Sequence, residues 1–456
     1  MVAILGPLSV IRFFGNDHLS FVYLTADCHA DFYKLMKKTA RKEPAQTANL
    51  FQFTLAGLIF FSMALIGISS FVGYKLTTKN LPRLADTFAM NPKDKSESLH
   101  AGPWGTLLTR DIDLERPVEY LTEEVADPKP ETWIFNGLKP DAVKELFTKN
   151  GLTTAQLAEA FIPGSFTNIS RDTELHPSEN FLLSLDSTAR AKLYPALAGM
   201  GVNMYLDYPY IFPGDIIESI YKDNQLNPDD LALFKQLIYP NGTAYQLCDY
   251  QFLLCKIPTM ERRVAMARCM SRQSAVLARL TVQSDTDIDK IASYWGKMPN
   301  IRFTDIRPLL EALKKLPEGG NVSLLYLLPK FARDRLYTFP LPPQPGEPTM
   351  DCHWSTFNFC NETPDNRFND PKYAMAFILD NYYQIAAPSI YGDIVLLMND
   401  KQQVKHSAVY LADNIVFTKN GNNYRQPWML MRIPDLLATY PATPPMKAVY
   451  MRHKAN

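Results

Sequence analysis

The chain has 456 residues, 46% of them hydrophobic, and 47 Lys and Arg balance 47 Asp and Glu to a formal net charge of zero. That length admits two or three domains, and the even charge lacks the basic surplus of a nucleic-acid binder. The seven histidines are scattered and the six cysteines show no Cys-x-x-Cys spacing, so neither a metal centre nor a cofactor is expected.

Residues 1–46 read as a short cytoplasmic N-terminus. Met36 is followed by Lys37, Lys38, Arg41 and Lys42, the layout of a signal anchor, so residues 1–35 could be an over-extension ahead of the true start. Residues 47–74 carry an uncharged run from Phe53 to Tyr74. A bilayer core of about 30 Å takes about 20 helical residues, so this run predicts a single transmembrane anchor through the lipid bilayer. No Ala-x-Ala cleavage site follows it. Lys34, Lys37, Lys38, Arg41 and Lys42 crowd its N-terminal flank, against Lys75, Lys79 and Arg83 behind it. The positive-inside rule then predicts an inner-membrane, single-pass protein with its C-terminal domains on the periplasmic side. Residues 75–134 are polar and Pro-punctuated and predict an irregular stalk.

Helical signals dominate residues 135–340. Pro140-Asp141 opens an apolar stripe that Asn150-Gly151 stops. Further helices are predicted from Thr153 to Phe161, from Ser187, from Asn227-Pro228 toward Tyr239, from Pro258 to Met270, from Asp285 and from Arg307 to Leu316. Ala275–Val282 alternates and reads as a strand. This stretch predicts an α-rich domain, with no repeat and no Gly-rich phosphate loop to give it a role. Asp229-Asp230 reads as a helix N-terminal charge pair. Phe339–Pro348 is a stiff Pro-rich connector to a last domain at 341–456.

That last segment holds the candidate chemistry. Asp351-Cys352-His353-Trp354 is followed by Gly392-Asp393-Ile394-Val395 and then by His406-Ser407-Ala408-Val409-Tyr410. A thiol hydrolase needs a Cys nucleophile and a His base that the fold brings together. Cys352 at a helix start gains thiolate character there, and backbone amides at that start could serve as an oxyanion site. His353 is adjacent on the same helix and cannot face Cys352, so His406 is the expected base. Gln402–Leu411 and Ile415–Thr418 predict a hairpin in which Thr418 and Asn420 share one face and Lys419 takes the other. A polar residue on that face would hold the His406 tautomer, as the third member of a triad does. The plainer readings of Cys352 are a buried apolar thiol or a disulfide with Cys360.

These three blocks resemble the NlpC-type cysteine peptidases, whose blocks read Asp-Cys-Ser/Gly, Gly-Asp-Leu-Val and His-Val-Gly-Ile-Tyr. The resemblance is confined to residues 341–456. It implies a papain-like α+β domain with an antiparallel sheet, Cys352 as nucleophile, His406 as base, and Thr418 or Asn420 as the third polar residue. It implies peptidoglycan stem peptides, or another peptide or amide, as substrate. His353-Trp354 departs from the small residues usual after the Cys, and with Asp351 these are the expected substrate contacts. The expected fold class is therefore α+β: an N-terminal single transmembrane helix, an α-rich middle domain, and a C-terminal papain-like domain. The expected function is a membrane-anchored cysteine hydrolase facing the envelope. The alternatives are a catalytically degenerate binding protein or an acyltransferase on the same fold.

Overall fold

Alternating aliphatic and β-branched residues in Gly105–Leu114 and Gln273–Val282 make two ten-residue strands. They pair antiparallel from Thr106 opposite Thr281 to Leu114 opposite Gln273. Ser98–Gly102 and Gly320–Ser323 are the outer strands of this four-stranded sheet. The computed structural model describes residues 97–455 apart from 170–171, 201–202, 299–302, 342–346, 348 and 443.

Between the two long strands the chain builds a separate lobe. Its helices start where local chemistry fixes them. Thr153 and Gln156 form a reciprocal capping box at Thr154–Ala160. Asn227 caps Pro228–Leu237, with Pro228 in the first turn. Two three-stranded sheets accompany the helices. One is formed by Trp133–Phe135, Phe166–Ile169 and Asp172–Leu175, the other by Tyr210–Pro213, Tyr239–Asn241 and Ala244–Leu247. Trp133 packs edge-on against Phe147, Phe181 and Tyr194 at 5.8–6.2 Å. Beside this aromatic core Arg190 and Asp249 form a fully buried ion pair, Nε to Oδ2 at 2.9 Å. Tyr194 donates to the other carboxylate oxygen at 2.6 Å, and Arg190 Nη2 donates to Leu182 O at 2.6 Å.

Residues beyond 350 build a six-stranded antiparallel sheet. Its order is Tyr382–Ile385, Lys447–His453, Ile394–Met398, Val404–Ala412, Ile415–Lys419, Trp428–Arg432. One face carries Ile394, Leu396, Val409, Leu411 and Phe417, and it packs on the helix Cys352–Phe357. This core is continuous with Leu107, Leu280, Trp295 and Leu310, so one core serves residues on both sides of the Pro-rich stretch. The opposite face, with Val395, Leu397, Ala408, Tyr410 and Met431, packs on Leu114 and Ala275.

The expected fold class needs correction. Among the described residues the chain is a mixed α/β structure of antiparallel sheets, and no helix is long and apolar enough to cross a membrane. The longest described helix, Phe303–Lys314, has 12 residues, about 18 Å at 1.5 Å per residue against a bilayer core of about 30 Å. The run at 47–74 lies outside the described residues, as does everything predicted for residues 1–46. The middle segment is not helical throughout: strands of three or four residues, too short to show a period of two, stand among its helices. Nor are residues 98–134 an irregular stalk, because Ser98–Gly102, Gly105–Leu114, Val118–Val125 and Trp133–Phe135 are regular elements.

The corner before Ile394–Met398 is set by Gly392, at φ +96°, where an added Cβ would meet Met298 Sδ. Gly392→Ala is expected to destabilise the fold by about 1–3 kcal/mol, the usual cost of a strained backbone site, read as a lower urea midpoint. An unchanged midpoint would show that the corner tolerates a side chain. Asp393, next in the chain, braces the same corner by accepting from Ser389 N at 2.9 Å and Ile390 N at 3.1 Å, with Arg452 Nε at 2.8 Å.

Candidate active site

The helix that begins at Cys352 is fixed at both ends. Asp351 caps it, Oδ1 accepting from Trp354 N at 2.7 Å, and Asn358 closes it, Nδ2 donating to Trp354 O at 3.0 Å. Its body is tied to the sheet by hydroxyls. Trp428 Nε1 donates to Ser355 Oγ at 2.9 Å. Ser407 Oγ lies within hydrogen-bond reach of Thr356 Oγ1 at 3.0 Å and of Cys352 O at 3.4 Å. The thiol of Cys352 is free and buried, so the expected alternative of a disulfide with Cys360 is not formed.

His406, fully buried on Val404–Ala412, anchors a second line of hydrogen bonds. Thr418 Oγ1 donates to Asn420 Oδ1 at 3.3 Å. Having spent its one hydrogen there, it accepts from His406 Nε2 at 2.8 Å. A proton on Nε2 and a bare, accepting Nδ1 fit this arrangement. Tyr440 OH sits 2.7 Å from Nδ1 and itself accepts from Gly421 N at 3.1 Å. The Tyr440 and His406 rings lie 4.7 Å apart.

Burial dominates the electrostatics. It pushes the Cys352 thiol up to about 12, with the Asp351 charge adding to the rise. The amides of Ser407 and His353 and the Lys419 ammonium pull the other way. Burial holds His406 well below the ordinary histidine range, helped by His353 and Lys419. Lys419 is itself lowered to about 8 by burial, against the pull of Cys352 and Asp351. Its Nζ donates to Asn423 O at 2.9 Å and Gly421 O at 3.1 Å. Burial also raises Tyr440, with the Cys352 charge next in importance. At neutral pH the thiol and the imidazole are both uncharged. A cleft of about 510 Å³ adjoins this cluster, lined by Lys419, Trp428, Tyr424, Arg335 and Met350.

His406, Thr418 and Asn420 thus form one hydrogen-bonded line. Cys352 meets their strand one residue further on, at Ser407, whose amide favours the thiolate. Cys352 Sγ and His406 do not hydrogen-bond, since Nε2 faces Thr418 and Nδ1 faces Tyr440. Alternation along the strand turns Ser407 toward the body of the Cys352 helix, while His406 shares a face with Ala408 and Tyr410. Of the expected substrate contacts, Asp351 is occupied as the helix cap. Trp354 is buried against Phe331 and Arg335, and its indole donates to Asn366 Oδ1 at 3.0 Å. His353 Nδ1 lies 2.9 Å from Ser407 Oγ. Sequence reasoning missed Ser407, Lys419 and Tyr440. The alternation rule put Lys419 opposite Thr418, which was the available signal for it. Tyr440 lies 34 residues beyond His406 and had none. No group of His, Cys, Asp and Glu among the described residues could hold a metal ion. No family model, curated protein or solved structure matches this chain.

Proposed function

We propose that residues 341–456 form a thiol hydrolase of the NlpC type, with Cys352 as nucleophile and His406 as general base, acting on a peptide or amide such as a peptidoglycan stem peptide. The observation that carries this reading is the Asn420–Thr418–His406 line. It holds one tautomer and leaves Nδ1 as the proton acceptor, on a strand whose next amide points at the Cys352 sulfur. Because thiol and imidazole are both neutral at rest, the mechanism is general-base catalysis rather than attack by a standing thiolate. His406 Nδ1 takes the thiol proton as sulfur bonds to the acyl carbon. The same proton then goes to the leaving amine, and water releases the acyl group. For this, Tyr440 OH must yield Nδ1, and the thiol and the ring, which do not hydrogen-bond at rest, must come together when substrate enters.

The test is covalent. The full chain is incubated with p-nitrophenyl acetate, and the acetyl group is located by peptide mass spectrometry. Acetylation is expected on Cys352, with its release by water giving turnover, and both are absent in Cys352→Ala but kept in Cys360→Ala. Acetyl spread equally over Cys255, Cys352 and Cys360 would overturn the assignment.

A second reading, a non-catalytic binding domain, is favoured by one observation: Tyr440 occupies the nitrogen that the base needs. Tyr440→Phe separates the two. Faster acetylation of Cys352 marks Tyr440 as a displaceable latch, and no acetylation in either form marks a site without chemistry.

A further inference from the structure

Where the inserted lobe meets the loop after Lys419, two guanidinium groups are buried in one cluster. Arg116 is 2% exposed and Arg425 is 4% exposed. Arg116 Nη1 donates to Glu124 Oε2 at 2.6 Å, but its Nε and Nη2 have no protein partner. Arg425 lies 5.0 Å from the ring centres of both Tyr205 and Tyr210, and its Nε and Nη2 are likewise unpartnered. The two arginines share neighbours. The Tyr424 ring lies 5.3 Å from Arg116, and its hydroxyl is 3.5 Å from Glu124 Oε2. Glu124 Oε1 accepts from Tyr250 OH at 3.0 Å. Among the described residues, no carboxylate lies within ion-pair distance of Arg425, so Glu124 alone faces two cations.

Buried cations with idle N–H groups and too little counter-charge are unstable as they stand. The ring faces of Tyr205 and Tyr210 and a hydrogen bond to the Tyr210 hydroxyl offset part of this for Arg425, but its Nε and Nη2 are left without an acceptor. An oxyanion supplies what is missing, a negative charge and two or more acceptor oxygens in the plane of a guanidinium fork. Tyr424 also lines the cleft beside Lys419 and Trp428, so a single side chain is common to the cluster and to open solvent.

We propose that Arg116 and Arg425 form a binding site for a small oxyanion, a carboxylate or a phosphate group, at the seam between the inserted lobe and the six-stranded sheet. The anion anchors the loop that carries Gly421 and Asn423, whose carbonyls hold Lys419, and whose Gly421 amide holds Tyr440.

The experiment uses the full chain, titrated calorimetrically and by thermal melts with inorganic phosphate or with acetate, against sodium chloride at equal ionic strength. Saturable one-to-one binding is expected, with a Tm rise of roughly 3–6 °C at about one hundred times Kd and none with chloride. Tighter binding of acetate assigns a carboxylate ligand, and tighter binding of phosphate a phosphoryl one. Arg425→Lys and Arg116→Lys keep the charge but lose the fork, and each is expected to weaken binding by about tenfold. Absence of saturable binding of both anions to the wild type would overturn the proposal. So would unchanged affinity in both lysine variants.

Discussion

Arg190→Met is expected to be the most destabilising single substitution in the inserted lobe, lowering its stability by about 3–5 kcal/mol. The guanidinium is fully buried and joins Asp249, Leu182 O, Leu185 O and Gln236 O. Methionine fills much of the same volume, so the loss comes from what is left behind: a carboxylate with no counter-charge and carbonyls with no donor. Burial already pushes Asp249 above the usual carboxylate range, opposed by Arg190 and by the Tyr194 hydroxyl. Without Arg190 it is driven to take up a proton. The double variant Arg190→Met/Asp249→Leu removes both charges and is expected to recover more than half of the loss, because a buried pair replaced by apolar groups is often close to neutral. Urea denaturation of the three proteins measures this. A single variant within about 1 kcal/mol of wild type would show that the pair contributes little.

His406→Ala is expected to slow acetylation of Cys352 by about 10²–10⁴-fold, the usual range for a general base. The pH dependence discriminates further. Burial depresses His406, so the ring stays neutral, and able to accept a proton, below the ordinary histidine value of about 6.5. The acid limb of the rate profile is therefore expected well below the ordinary histidine value rather than near it. The Cys352 thiol is pushed up to about 12, so a route through free thiolate contributes only at strongly alkaline pH. A rate rising tenfold per pH unit from 6 to 9, unaffected by His406→Ala, would instead mark an ordinary thiol. The same depressed histidine acts on stability. The unfolded ring binds a proton below about pH 6.5 and the folded one does not, so stability is full above that pH and falls as pH drops through it. Circular dichroism across the range separates loss of base from loss of fold.

Much of the helical scaffold was legible because its signals are local. The helix starts at Thr153 and at Asn227-Pro228 act within four residues, and those helices stand where the signals put them, whereas Asp351, expected as a substrate contact, is the cap of the Cys352 helix. The hairpin through Asp413, which adopts φ +55°, followed from strand patterning around a turn. The role of Thr418 as partner of His406 followed from the same alternation. What was hidden is non-local. Leu114 pairs with Gln273 across the whole inserted lobe, and nothing in either residue announces it. Tyr210–Pro213 and Ala244–Leu247 are too short to carry a period, and their pairing depends on burial of Phe212 and Leu247. At the proposed site, the candidate nucleophile and base were named from sequence alone. Their mutual neutrality was not, because it arises from depth of burial, which no short motif encodes.

The inserted lobe leaves and returns at one point: Leu114 stands opposite Gln273, and Arg116 N donates to Ser271 Oγ at 2.9 Å. For a chain searching for its register, this geometry shortens the search. An unstructured loop would have to bring distant ends together, at an entropy that grows by only about 0.6 kcal/mol per doubling of length but starts from a large constant. A lobe that has already folded presents both ends side by side, so the long strand pair closes much as a tight hairpin does. Growth or trimming of the lobe over evolutionary time then leaves the closure cost of the sheet nearly untouched, as long as those two ends stay neighbours.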